Sequence, residues 1–113
     1  MQKRILVITH DLTLLATQSS MLLKAGYAVS SADKAESALK LLEKNSFDLV
    51  LIGRNSAGLP KQIAQELRGK YPNIIILKIV DIDDQGYSYA SHVTDSRPDN
   101  VIAAINGILN QGT

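Results

Sequence analysis

The polar residues that could carry out chemistry stand where three short apolar segments of the sequence end. Thr9 to Asp11 lie at the end of the first segment, Gly53 to Ser56 follow the second, and Val80 to Asp84 close the third. Apolar runs this short are typical of parallel strands buried on both faces, and the carboxyl ends of such strands form the ligand crevice of an open α/β sheet. We therefore expect the three groups to meet at one edge of a sheet.

His10 is the strongest single candidate for a reactive side chain. Its imidazole titrates near neutral pH, and it could act as a general base or contact a ligand. No motif places a serine or cysteine nucleophile beside it, so we favour a structural role in which His10 fills space and bonds to nearby backbone. For Arg54 we likewise favour an exposed loop position over an anion receptor.

The sequence excludes several common kinds of site. It contains no cysteine, which rules out disulfides, thiolate catalysis and cysteine-ligated zinc. The segment RNSAGLP lacks the glycine spacing and the Lys-Ser/Thr pair of a phosphate loop, and THDLTLL stands where a dinucleotide-binding glycine motif would follow the first strand. A formal net charge of +1 leaves no strong field to attract nucleic acid or an anionic membrane.

The composition is that of a small globular chain. Of its 113 residues, 45% are hydrophobic and 20% charged, which is enough for one domain with its own core over residues 1–113. The apolar runs are far shorter than the roughly 20 residues needed to cross a bilayer. His10 and Asp11 interrupt the first run where a signal peptide would stay apolar, so we expect a cytoplasmic domain.

Strand-like and helix-like patterns alternate along the whole chain. Between the last two predicted strands, residues 81–90 show no helical periodicity, so the fourth crossover is predicted to be shortened or irregular. Regular alternation forces right-handed parallel crossovers, and it predicts a flavodoxin-like, doubly wound α/β sheet of five parallel strands in the order 2-1-3-4-5. The predicted strands are Arg4 to Thr9, Tyr27 to Ser31, Phe47 to Ile52, Asn73 to Val80 and Ser91 to Thr94.

Capping residues mark the ends of the predicted helices. The first helix is expected to begin after Asp11 as its N-cap and to stop at Gly26. For the second helix, Asp33 and Glu36 have the spacing of a capping box. The remaining helices are predicted over Leu59 to Arg68, with Gly69 just past the end, and from Pro98 onward.

Two passages of the sequence are typical of a known family. The passage KRILVITHD, followed by LLKAGYAVSSADKAESALKLLEKNSFDLVLIG, resembles the amino-terminal half of a CheY-like response-regulator receiver domain. The later segment RPDNVIAAI is similar to the start of the last helix of such domains. The resemblance spans essentially the whole chain and implies the same fold order as the alternation of strands and helices.

The residues that such a family uses for phosphotransfer are absent from this chain. The resemblance implies an acidic pair after the first strand, a phosphoacceptor aspartate after the third, a hydroxyl after the fourth and a lysine after the fifth. Together these groups would hold Mg²⁺ and stabilise the phosphoryl group. In this sequence the five positions fall on Thr9, His10, Gly53, Val80 and Thr94.

We predict neither a phosphoacceptor nor a metal site. Glycine has no side chain to phosphorylate, and threonine with a neutral histidine is a poor donor set for a hard cation. The carboxylates left near the crevice are Asp11 and three residues of the acidic loop, and we interpret the loop residues as solvated. Those three are Asp81, Asp83 and Asp84.

A contact surface is predicted around the fifth strand. Tyr87 and Tyr89 concentrate aromatic side chains in the fourth crossover, with His92 and Arg97 nearby. Exposed aromatic residues are favoured at interfaces, and receivers commonly use this side of the domain for contacts. The alternative is that the rings only cover a sheet edge left bare by a shortened helix.

The sequence therefore favours a pseudo-receiver of a prokaryotic two-component, phosphorelay-type system. Such a domain would signal through a protein partner or a homodimer, without aspartate phosphorylation, without enzymatic activity and without a cofactor. The competing hypothesis is a cobalamin-like small-molecule binder on the same fold, suggested by His10. That motif requires Asp-x-His-x-x-Gly, and ITHDLTLL lacks both the preceding aspartate and the following glycine.

Overall fold

The computed structural model of the protein describes residues 3–9, 12–53, 65–67, 69–71, 74–79, 92–95 and 97–109. These residues build a five-stranded sheet in the order β2-β1-β3-β4-β5, and every neighbouring pair is parallel. The predicted fold class and strand order are confirmed. The strands are β1 (Arg4–Ile8), β2 (Ala28–Ala32), β3 (Leu49–Ile52), β4 (Ile75–Ile79) and β5 (His92–Thr94).

Three helices have defined bounds: α1 (Leu12–Lys24), α2 (Ala35–Lys44) and α3 (Pro98–Leu109). Residues 65–67 and 69–70 are also helical. The predicted irregular crossover over residues 81–90 lies outside the described residues. In the described part of the chain, no helix is both long and apolar enough to span a membrane.

Two apolar clusters sandwich the sheet. Alternate residues along β1 and β3 supply both clusters, because successive side chains of a strand point to opposite faces. One cluster packs against α2 through Ala38 and Leu42, and the other packs against α1 and α3 through Leu22 and Ile105. All four residues of β3 are fully buried, as the apolar run in the sequence predicts for a central parallel strand.

The first helix ends at a glycine, as predicted. Gly26 has a φ of 97°, a conformation that glycine adopts without the steric penalty of a β-carbon. Tyr27 follows as a buried residue, and its hydroxyl donates a hydrogen bond to Oδ1 of Asn106 on α3. Burial raises the pKa of the Tyr27 phenol, so the neutral donor form is favoured. The predicted N-cap Asp11 lies outside the described residues.

The predicted capping box of α2 is wrong. The N-cap is Lys34, one residue later than Asp33, and no side chain hydrogen-bonds to the helix start. A capping box needs a glutamate at the third helical position, and with Lys34 as the N-cap Glu36 is the second helical residue. Its carboxylate is 3.6 Å from Nζ of Lys40, one turn further on, and both side chains are largely exposed.

The predicted end of the third helix is also wrong. Gly69 lies within helical residues 69–70 instead of past the helix end. The amide of Tyr71 donates to the carbonyl of Leu67 at 2.6 Å, and Leu67 is fully buried in the cluster beneath α2. The burial of Leu67 and its hydrogen bond with Tyr71 outweigh the weak helix propensity of glycine, which costs only about 1 kcal/mol relative to alanine.

The uncapped start of α2 yields a stability prediction. Lys34 has the extended backbone of an N-cap, with φ −140° and ψ 154°, but its side chain has no acceptor for the helix amides. We expect Lys34→Ser to raise the free energy of unfolding by about 1 kcal/mol, measured by urea denaturation. Lys34→Ala removes the same lysine without adding a cap and should give no such gain. Equal stabilities of the two variants would contradict the assignment of Lys34 as the N-cap.

Candidate functional site

The carboxyl ends of the strands bring together three of the five predicted pocket positions. Thr9 directly follows β1, Gly53 directly follows β3, and Thr94 ends β5. All three are buried. The other two positions, His10 and Val80, lie outside the described residues, and so do the acidic residues Asp81, Asp83 and Asp84.

Thr9 and Gly53 are in very close contact. A β-carbon built on Gly53 would lie 2.8 Å from both Cβ and Oγ1 of Thr9, a distance that carbon atoms in proteins do not tolerate. The approach is fixed by backbone hydrogen bonds, because the amide of Gly53 donates to the carbonyl of Ile8 at 2.9 Å. The Thr9 side chain therefore occupies the space in which any side chain at position 53 would begin.

A lysine that the sequence analysis did not single out lies at the same edge. Lys78 is the fourth residue of β4, and it is 5% exposed. Its Nζ donates to the carbonyl of Gly53 at 3.0 Å and to the carbonyl of Ile79 at 2.6 Å. The position carried over from the receiver family for a lysine is Thr94, so the ammonium of this site comes from a different strand.

The sequence does contain a signal for Lys78. It is the one charged residue in the run IIILKIV, and a charge within a strand buried on both faces needs a hydrogen-bonding partner. The family resemblance places a lysine at the end of the fifth strand, whereas Lys78 lies within β4 and its side chain reaches the same edge of the sheet.

The electrostatics of the described site are those of a buried monovalent cation. The Lys78 ammonium carries three donors and no acceptor, and carbonyl oxygens at the strand ends accept from it. Among the residues that the structure describes, no group of three histidine, cysteine or acidic residues could hold a metal ion. The described pocket positions Thr9, Gly53 and Thr94 carry no carboxylate, and the Lys78 side chain donates to the carbonyl of Gly53.

Hydrogen bonds connect the strands across this edge. The amide of Thr9 donates to the carbonyl of Ala32 on β2 at 3.1 Å. Gly53 then links β1 to β4, since its amide donates to Ile8 and its carbonyl accepts from Lys78. A substitution of Gly53 or Lys78 would thus disturb β1, β3 and β4 together.

The predicted contact surface is partly described. His92 and Arg97 are exposed, and Val93 between them is 46% exposed on an outer strand of the sheet. The carboxylate of Asp95 accepts hydrogen bonds from the amide of Arg97 and the side chain of Asn100, which fixes the turn from β5 into α3. Tyr87 and Tyr89 lie outside the described residues, so their place in this surface stays a prediction.

Neither a comparison with protein-family models nor a comparison with curated proteins gives a match. Solved structures, in contrast, match over almost the whole chain. The chemotaxis response regulator CheY4 of Vibrio cholerae is 18% identical with a TM-score of 0.85, and the match covers 96% of this chain and 100% of that one. A CheY-like receiver domain protein of Methanospirillum hungatei is 19% identical with a TM-score of 0.84, covering 98% and 96%.

A third similar structure is TrrA of Thermotoga maritima, a response regulator determined in complex with Mg²⁺ and BeF. It is 23% identical with a TM-score of 0.81, and the match covers 96% of this chain and 100% of that one. At these identities the similarity establishes the fold. The chain has the CheY-like flavodoxin fold that response-regulator receiver domains share.

The contact between Thr9 and Gly53 makes the tolerance of position 53 testable. We expect Gly53→Ala to lower the free energy of unfolding by about 1–3 kcal/mol, because its β-carbon overlaps Thr9. In the double variant Thr9→Gly/Gly53→Ala the overlap is absent, so the loss should be smaller than the sum of the two single losses. Urea denaturation of all three variants measures this coupling.

Gly107 provides the matched control for this experiment. It lies within α3, and a β-carbon added there has no atom within 4 Å. Gly107→Ala should therefore raise the free energy of unfolding by about 0.5–1 kcal/mol. If Gly53→Ala were as harmless as Gly107→Ala, the crowding of position 53 by Thr9 would be refuted.

Proposed function

We propose that this protein is a receiver-like domain, spanning residues 1–113, that acts in signal transduction through protein–protein interaction and without aspartate phosphorylation. The observation that carries the proposal is Gly53. In the receiver fold the phosphoacceptor follows the third strand, and here that position has no side chain and is crowded by Thr9. A phosphoryl group has no carboxylate to join at this residue.

The charge of the site supports the same proposal. Phosphoryl transfer to a carboxylate needs a divalent cation, and such a cation needs oxygen ligands of negative charge. The described site instead holds the ammonium of Lys78 on the carbonyl of Gly53. The described pocket positions Thr9, Gly53 and Thr94 carry no carboxylate to supply such ligands.

Receiver domains can also act through a protein partner. TrrA, which shares the fold with 23% identity, was crystallised in complex with the histidine kinase ThkA. For the present chain we propose a signalling protein or a second copy of itself as partner, with no catalytic activity of its own. Nothing in the described residues favours the cobalamin-like alternative, which depended on His10.

The surface we assign to this contact is formed by β5 and the start of α3. Val93 offers an apolar centre, and His92 and Arg97 lie beside it as polar neighbours. An apolar centre with a polar rim is the usual composition of a protein interface. The Asp95 carboxylate holds the turn between the two elements in place, so the surface is preformed.

This assignment predicts a concentration-dependent homodimer that is lost when Val93 becomes charged. In sedimentation velocity experiments, we expect Val93→Asp to shift the protein to monomer because the aspartate would be desolvated in the interface. Leu23→Asp is the matched control: Leu23 is 58% exposed on α1, outside the proposed surface, and should leave the dimer intact. Mg²⁺ with acetyl phosphate should change neither result.

One outcome would contradict the proposed function: a dimer that forms only in the presence of Mg²⁺ and acetyl phosphate, since that would show phosphorylation-dependent signalling. A wild-type protein that stays monomeric at all concentrations would refute the homodimer through β5 and α3, and the proposed partner would then be another signalling protein.

A further inference from the structure

Lys78 is placed where a charged side chain is costly. Its neighbours Leu77 and Ile79 are fully buried, and Lys78 itself is 5% exposed. Moving an ammonium group out of water costs several kcal/mol unless polar groups compensate for the lost hydration. A packing role alone would be met at lower cost by an apolar side chain of similar length.

The compensation comes from the ends of two strands. The ammonium binds the carbonyl oxygen of Gly53 on one side and that of Ile79 on the other, at 3.0 and 2.6 Å. Hydrogen bonds with a charged donor are roughly twice as strong as neutral ones, and more so away from water. Lys78 therefore holds the carboxyl ends of β3 and β4 at a fixed separation.

Both residues bound by Lys78 are also paired with further strands. Gly53 also donates its amide to Ile8 on β1, and Ile79 is the register partner of Thr94 on β5. The ammonium is thus connected through Gly53 to β1, and through Ile79 to β5, which forms part of the proposed contact surface. A change at Lys78 has a short covalent and hydrogen-bonded route to that surface.

We propose that the Lys78 ammonium is a built-in cation that holds this edge of the sheet in a single conformation. The inference rests on the proposed function and specifies how that site is regulated. The hydrogen bonds of the lysine to the strand ends hold the contact surface in one state without a bound ion or phosphoryl group.

The first test uses amide hydrogen exchange in the folded protein. In Lys78→Met the side chain keeps its approximate volume but loses the charge and the donors, so the amides of Gly53 and Thr94 should exchange about tenfold faster or more. Amides of Leu51 and Ile76, within the sheet, should keep their protection. Lys70→Met removes the same charge from an exposed side chain and should leave Gly53 unchanged.

Unchanged protection of Gly53 and Thr94 in Lys78→Met would overturn the proposal. Should that variant not fold, nuclear magnetic resonance of the wild-type lysine ammonium groups decides the matter. We expect a slowly exchanging Lys78 ammonium signal with hydrogen-bond couplings to the carbonyl carbons of Gly53 and Ile79. A Lys78 signal that exchanges as fast as that of Lys70 would refute the proposal.

These outcomes are separate from those that test the proposed function. A wild-type protein that responds to Mg²⁺ and acetyl phosphate would refute signalling without phosphorylation, whatever Lys78→Met does. A Lys78→Met variant with wild-type protection would refute the built-in cation, and it would leave the missing phosphoacceptor at Gly53 unaffected.

Discussion

The close approach of β1 and β3 at their carboxyl ends is the constraint on which the site depends. Because the amide of Gly53 bonds to Ile8, the two backbones converge and Thr9 lies over the Cα of Gly53. Only glycine fits there without displacing Thr9. The carbonyl of the same residue accepts a hydrogen bond from Lys78 on β4. Gly53 therefore contacts both neighbouring strands at this edge of the sheet.

This arrangement separates the fold from the chemistry that the fold usually carries. The sheet needs only buried apolar strands and parallel crossovers, and the two clusters on its faces supply the burial that stabilises it. The residues at the strand ends lie outside these two clusters, and they join neighbouring strands through hydrogen bonds. Thr9, Gly53 and Lys78 connect neighbouring strands across this edge of the sheet.

The parts of the structure that could be predicted are those governed by local rules. The alternation of strand and helix patterns along the sequence predicted the strand order. The glycine at position 26 predicted the end of α1, and the structure shows it with the positive φ that glycine tolerates. Capping rules failed at Lys34, where the helix begins one residue late, and at Gly69, where burial of Leu67 extends the helix. At Gly69 the burial of Leu67 outweighs a helix preference of about 1 kcal/mol.

Less of the site could be predicted from the sequence. The sequence places Thr9, Gly53 and Thr94 at the strand ends, where the structure has them. The contact of Thr9 with Gly53 and the reach of Lys78 depend on how far two strands converge, and the spacing of residues in a sequence does not encode that distance. A lysine inside a buried strand nevertheless indicates a buried polar partner.

The measurement that tests the central claim most directly is the response of backbone amide shifts to Mg²⁺ and beryllofluoride, which mimics a phosphoryl group on a carboxylate. We expect no saturable change at Thr9, Gly53 or Thr94, because residue 53 offers no carboxylate and Lys78 binds its carbonyl. A saturable change centred on Gly53 and Thr94 would show a working acceptor site and refute signalling without aspartate phosphorylation.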